Sequence, residues 1–147
     1  TQGCPKDGDV TTYMHELGHN LNLLHGGFED CNYKPNYNSV MNYLYNYAFR
    51  DCGRNVQADL TYSRGVLADL NENSLNESLG VCEDVAIDWN VDGSIGVIQY
   101  NVNSEESSQE QSCGGTFTVL KDHDDWTNLV YLGPSTSEFM FPLRIRE

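Results

Sequence analysis

Three histidines and a glutamate near the start of the sequence have the types and spacing of a metal site. His15 and His19 lie four residues apart, so on a helix their imidazoles project from one face, one turn above the other. That spacing lets two ring nitrogens share one metal ion, and zinc accepts imidazole nitrogen in tetrahedral geometry. Glu16 then lies on the flank of the same helix, where its carboxylate can reach an attacking water rather than the metal.

His25 supplies a third ligand if the chain turns back after His19. A continuous helix has about 3.6 residues per turn and would point His25 away from the metal. The helix is therefore predicted to end between the two at a residue in the left-handed conformation. Asn22 is the candidate, because asparagine tolerates that conformation best after glycine. Three protein ligands leave one position of the ion open, as a catalytic zinc site requires.

These residues form the pattern H-E-x-x-H-x-x-N-x-x-H, which resembles the signature of the metzincin clan of zinc endopeptidases, with asparagine in place of glycine. The clan's second element is a methionine turn, and the segment S-V-M-N-Y at 39–43 is similar to it. The resemblance implies that Met41 lies beneath the zinc-binding histidines as an apolar floor. It also implies that Tyr43 lies near the zinc and helps to stabilise the oxyanion. A plain packing role for Tyr43 is the alternative.

A longer stretch supports the same resemblance. Residues 11–45, with N-Y-K-P-N-Y at 32–37, resemble a set of secreted, mostly uncharacterised bacterial and archaeal metzincin-like proteins. The pattern D-W-x-x-L that begins at Asp125 is similar to the C-terminal part of that group. The resemblance implies a zincin-like α+β fold and a secreted protein. It also implies an N-terminal sheet subdomain ahead of the zinc helix, so we expect this chain to be part of a longer protease.

The elements that must position these residues follow from capping and apolar spacing. Asp9, or a threonine at 11 or 12, can cap a helix over 12–21 that carries the motif. Leucines at 60, 67, 70, 75 and 79 predict one or two short helices after the methionine turn. We divide the chain into the C-terminal part of a catalytic domain, 1–82, and an acidic extension rich in strands and loops, 83–147, packed on the same domain.

Two glutamates in the leucine-rich stretch offer a rival ligand set. In gluzincins the third zinc ligand is a downstream helical glutamate, and Glu72 and Glu77 are the candidates here. The presence of His25 makes such a ligand unnecessary.

The octapeptide D-W-N-V-D-G-S-I that begins at Asp88 resembles the first part of an EF-hand or dockerin-type calcium loop. Oxygen ligands at Asp88, Asn90 and Asp92, followed by a turning glycine, suit Ca²⁺. The twelfth position lacks the bidentate glutamate of an EF-hand. The alternative is a plain Asp-Gly hairpin between strands at 85–89 and 95–102.

Composition limits the partners. The net charge is −14, from 22 acidic and 8 basic residues, and such a surface repels nucleic acid phosphates and anionic lipid. No apolar run approaches the roughly 20 residues that span a membrane. The five cysteines contain no C-x-x-C pair and are interpreted as disulfide partners in a secreted protein. Because five is odd, one has no partner within the chain, and we choose Cys4.

The sequence favours a secreted zinc-dependent endopeptidase that acts on proteins or peptides. In it His15, His19 and His25 hold zinc, and Glu16 is the general base. The competing hypothesis is a calcium-stabilised binding or structural module with a vestigial zinc site. Glu16 argues for the enzyme, because metal binding alone needs only the histidines.

Overall fold

The computed structural model describes residues 7–45, 61–83, 85–103 and 117–131, with the side chains of residues 7–9 excepted. Over these ranges the protein is a small α+β structure, which confirms the predicted class. Its helices are α1 (Asp7–Asn20), a 3₁₀ turn (Tyr43–Tyr45) and α2 (Asp125–Asn128). Its strands are β1 (Leu70–Asn71), β2 (Leu75–Asn76), β3 (Val97–Ile98) and β4 (Val119–Leu120). No helix in these ranges has the length and apolar character that crossing a bilayer requires.

Helix α1 carries the H-E-x-x-H motif and ends in a turn that reverses the chain. It begins at Asp7, so the residues predicted to cap it lie inside it and that prediction is wrong. At its other end the amide of Asn22 donates to the carbonyl of His19 at 3.1 Å, and the amide of Leu23 donates to Gly18 at 3.0 Å. With Asn22 at φ 70°, this is a Schellman motif in which asparagine takes the usual place of glycine.

Two apolar clusters form the described core. The first contains residues from the turn after α1, from the methionine-turn segment and from the segment after it: Leu23, Tyr37, Val40, Met41 and Tyr62. The second gathers side chains around the two sheets: Cys31, Leu70, Leu75, Val81 and Leu120. The first cluster supports the histidine motif, because the Tyr62 hydroxyl donates to the Met14 carbonyl of α1 at 2.7 Å.

The predicted helices after the methionine turn are wrong within 61–83, where the structure has strands and turns. Residues 46–60, which include Leu60, lie outside the described residues. β1 pairs antiparallel with β4, and β2 pairs antiparallel with β3. Each pair therefore joins a strand before residue 83 to one after it.

A short repeat explains the strands. Leu-Asn-Glu occurs at 70–72 and again at 75–77, and in both copies leucine is buried, asparagine exposed and glutamate buried. This two-residue alternation is the period of a strand rather than a helix. The helix prediction rested on the leucine spacing alone. It is wrong because the glutamates share the buried face with the leucines.

Both buried glutamates bind backbone amides of other segments. Each carboxylate accepts two hydrogen bonds from backbone amides at 2.8–3.0 Å, Glu72 from Val102 and Thr118, and Glu77 from Trp89 and Gly96. These bonds hold the loops of the 83–131 region against β1 and β2. Neither glutamate belongs to the group of possible metal ligands found among the described residues, so the structure does not support Glu72 or Glu77 as a zinc ligand.

Candidate metal centre

The three motif histidines come together. One ring nitrogen from each of His15, His19 and His25 lies within 4.8 Å of the other two, and this is the one such group found in the described part of the chain. The Nε2 atoms of His15 and His19 are 3.1 Å apart. Two imidazole nitrogens bound tetrahedrally to one zinc ion would lie about 3.3 Å apart. The spacing of the first two ligands therefore suits a shared ion.

Each histidine is oriented through its other ring nitrogen. Nδ1 of His15 lies 2.8 Å from the Val40 carbonyl, Nδ1 of His19 lies 2.9 Å from the Leu23 carbonyl, and Nδ1 of His25 lies 2.9 Å from the Asp30 carboxylate. Carbonyl and carboxylate oxygens only accept, so in every ring the proton must be on Nδ1. Nε2 is then the nitrogen with a free lone pair. Such partners orient the ligands of zinc proteins in the same way.

The facing lone pairs of His15 and His19 repel each other at 3.1 Å unless a proton or a cation lies between them. Burial lowers the pKa of His15; the bond to Val40 opposes this, and the nearby His19 and His25 lower it further. A proton on His15 is thus disfavoured near neutral pH. The donor set fits a divalent cation that accepts imidazole, and zinc meets that description.

The third ligand reaches the site because of the turn at Asn22. After the left-handed residue the chain doubles back, and the His25 ring lies 5.3 Å from that of His15 and 4.9 Å from that of His19. Its carboxylate partner, Asp30, was not singled out from the sequence. The only signal for it would have been an acidic residue a few positions after the third histidine.

Met41 lies against the helix turn that bears both helical ligands. It is fully buried, and a Cβ added at Gly18 would lie 2.2 Å from the Met41 sulfur. Only glycine therefore allows the sulfur to approach α1 this closely. Val40, whose carbonyl holds His15, is the residue immediately before it.

Tyr43 and Glu16 have different surroundings. Tyr43 packs against histidine rings, whereas Glu16 is exposed to water. The Tyr43 ring stacks on His15, with centroids 5.3 Å apart and planes 16° apart, and tilts over His25 at 4.6 Å. It therefore covers two of the three ligand rings. Glu16 is exposed on α1 directly after His15, so its carboxylate is accessible to water.

A buried carboxylate holds the methionine-turn segment. Asp125, at the start of α2, accepts hydrogen bonds from the Tyr37 hydroxyl at 2.8 Å, the Ser39 hydroxyl at 2.7 Å and the Ser63 amide at 2.8 Å. Burial raises the pKa of Asp125, and these hydrogen bonds oppose the rise. Since Ser39 precedes Val40, the network fixes the backbone that holds His15.

The predicted calcium residues lie together in an exposed turn. Asp88 accepts from the backbone amides of Asp92 and Gly93, and Asp92 accepts from the Ser94 amide and from the Asn90 side chain. The Ser94 bond, and then the Asn90 bond, lower the pKa of Asp92. The hairpin alternative is wrong, because β3 pairs with β2. The calcium site stays a prediction.

Cys31 and Cys82 are each disulfide-bonded, which bears out the disulfide interpretation for these two cysteines. Cys31 is buried in the second core cluster and Cys82 packs against it. Cys4, Cys52 and Cys113 lie outside the described residues.

Comparisons of the chain with protein-family models, with curated proteins and with solved structures found no match. Function must therefore be inferred from the histidine site and its surroundings.

Proposed function

We propose that this chain is part of a secreted, zinc-dependent endopeptidase of the metzincin type. The observation that carries the proposal is the convergence of three imidazoles whose Nδ1 atoms are all engaged by oxygen acceptors. His15, His19 and His25 thus offer three Nε2 lone pairs to one ion. Three ligands leave a fourth position for a reacting group, which is the difference between a catalytic and a closed structural zinc site.

The chain also supplies the proton-transfer groups that peptide hydrolysis needs. A zinc ion in this site would act as a Lewis acid on the scissile carbonyl. Glu16 takes a proton from the attacking water on its carboxylate and passes it to the leaving amine. Tyr43, which lies beside His15 and His25, donates from its hydroxyl towards the oxygen on which negative charge develops.

A comparison of the full-length parent protein that contains this chain with its Glu16→Gln variant tests this proposal. Both proteins are loaded with Zn²⁺, their metal content is measured, and both are incubated with a mixed peptide library analysed by mass spectrometry. We expect about one zinc per chain in both proteins and cleavage by the parent alone, because the amide of glutamine cannot accept the proton. Removal of the metal with a chelator should abolish cleavage, and added Zn²⁺ should restore it.

The outcomes separate this proposal from its competitor. Zinc binding by both proteins with cleavage by neither would favour the calcium-stabilised module with a vestigial zinc site. Cleavage by both proteins to the same extent would remove Glu16 from the mechanism. Failure of the parent to retain zinc would contradict the metal site itself.

A further inference from the structure

Lys34 is completely buried, which is rare for a lysine. Its Nζ donates to the Gly26 carbonyl at 2.7 Å, to the Lys121 carbonyl at 2.8 Å and to the Glu29 carboxylate at 3.1 Å. These three bonds use all the donors of the ammonium group. Burial lowers the pKa of Lys34, and the nearby Glu29 opposes that shift.

Two of the three acceptors belong to the loop 24–30, which carries His25 and its partner Asp30. The loop closes on itself through paired backbone bonds between Leu24 and Gly27 at 2.9 and 3.0 Å, and through a bond from the Gly26 amide to the Glu29 carbonyl. The Lys34 ammonium lies on the inner side of this loop, where it binds the carbonyl of the residue that follows His25.

Besides these backbone bonds, Gly27 and Phe28 of the loop pack against His123. The side chains of Leu24 and Phe28 are largely exposed, so they contribute little buried apolar area. The pair between His25 and Asp30 is open to water, with the Asp30 side chain 62 % exposed, and exposed pairs contribute little. The buried ammonium therefore adds hydrogen bonds to two positions of the segment that presents His25.

The other two ligands do not need such support. His15 and His19 lie on α1, and their partners are backbone carbonyls of buried residues, Val40 and Leu23. His25 is the ligand outside the helix, and its position depends on the loop.

We propose that Lys34 is a positioning residue of the metal centre. Its ammonium acts as an internal cation around which the loop 24–30 folds, so that Nε2 of His25 meets those of His15 and His19. The inference rests on the proposed function, because it concerns the affinity of that site for zinc.

Zinc affinity is measured by competition with a chromophoric chelator in wild type and in Lys34→Met. The absorption spectrum of the Co²⁺-substituted form of each protein is also recorded. Methionine keeps most of the buried volume and removes all three hydrogen bonds. We expect the Kd for Zn²⁺ to rise at least tenfold, as is typical when a group that orients a ligand is lost. The Co²⁺ spectrum should change in intensity, because the third imidazole is displaced.

Two control variants separate this role from a general loss of stability. Lys121→Met removes an exposed lysine side chain whose backbone carbonyl still accepts from residue 34, and it should leave the Kd unchanged. Glu72→Gln weakens a buried network that has no hydrogen bond to the histidine site, so it should lower stability without changing the affinity of the folded protein.

A second variant decides the question if Lys34→Met does not fold. Glu29→Gln keeps an oxygen acceptor but removes the charge opposite Lys34, and a weaker zinc affinity would support the inference. Unchanged affinity in a folded Lys34→Met, or in Glu29→Gln when Lys34→Met does not fold, would overturn it. Absence of zinc binding in the wild type would overturn the proposed function as well, so the two failures are distinguishable.

Discussion

The three histidines of the candidate metal centre differ in how their rings are held. His15 and His19 donate to buried backbone carbonyls, whereas His25 donates to an exposed carboxylate. A ring that donates to the backbone keeps its orientation for as long as the fold persists. The spacing of all three residues was readable from the sequence, because the pattern of a helix followed by a reversal is local. The acceptor of His15 was not readable, since Val40 lies 25 residues from His15.

Protonation of His15 should destabilise the metal-free protein. Burial lowers its pKa in the folded state from the ordinary 6.5, so the unfolded chain binds the proton more readily. The stabilising contribution is therefore complete above pH 6.5 and is lost as the pH falls through the lower folded-state value. Urea unfolding of the metal-free protein across this range should show the decline. The same decline in a His15→Gln variant would contradict this assignment.

Gly18 should not accept a side chain. The Cβ of alanine would lie 2.2 Å from the Met41 sulfur, so Gly18→Ala forces Met41 away from α1. We expect a loss of about 1–3 kcal/mol in the free energy of unfolding and weaker zinc binding, because overpacking distorts the core below the ligands. Gly96→Ala is the matched control, because a Cβ there meets nothing within 4 Å. Equal stability of the two variants would contradict the packing described.

Among the secondary-structure elements, the turn after α1 contributes most to the site. Its left-handed residue was predicted from the sequence, since the third histidine requires a reversal and asparagine is the residue there that accepts it. The helices predicted from the leucines are wrong at β1 and β2, which are strands. Their leucines recur without a strict alternation, and the buried positions of Glu72 and Glu77 become intelligible only with their distant amide partners.

Substitution of Asn22 tests the turn. Its φ of 70° is costly for any other residue that carries a Cβ, so Asn22→Ala should lose about 1 kcal/mol of stability, together with zinc affinity. Asn22→Gly should keep both, because glycine adopts this conformation freely. Urea unfolding and chelator competition measure the two effects. A loss in Asn22→Gly as large as that in Asn22→Ala would show that the asparagine side chain matters rather than its backbone.

In the molecule as a whole, buried charged groups connect segments that are distant in sequence. Lys34 joins the loop 24–30 to residue 121, Asp125 joins the methionine turn to α2, and the two glutamates join both sheets to their loops. Such contacts leave no pattern in the local amino-acid sequence. The arrangement after residue 60 therefore could not be predicted, whereas the α+β class was expected from the resemblance alone.

The glutamate contacts should be worth a measurable part of the stability. A glutamine at Glu72 or Glu77 has one acceptor oxygen, and its NH₂ group would face a backbone amide. We expect each substitution to lower the free energy of unfolding by about 1–3 kcal/mol in thermal or urea unfolding. Asp69→Asn, at an exposed position, is the control and should have little effect. If Glu72→Gln and Glu77→Gln are as stable as the control, the described contacts are contradicted.

X-ray absorption spectroscopy of the zinc-loaded protein measures whether His15, His19 and His25 bind one ion together. The proposed function predicts one zinc ion with three imidazole nitrogens from His15, His19 and His25 and one further light ligand, at about 2.0–2.1 Å. Replacement of any one histidine should reduce the imidazole count to two. A first shell containing sulfur at about 2.3 Å, or a protein that retains no zinc, would contradict it.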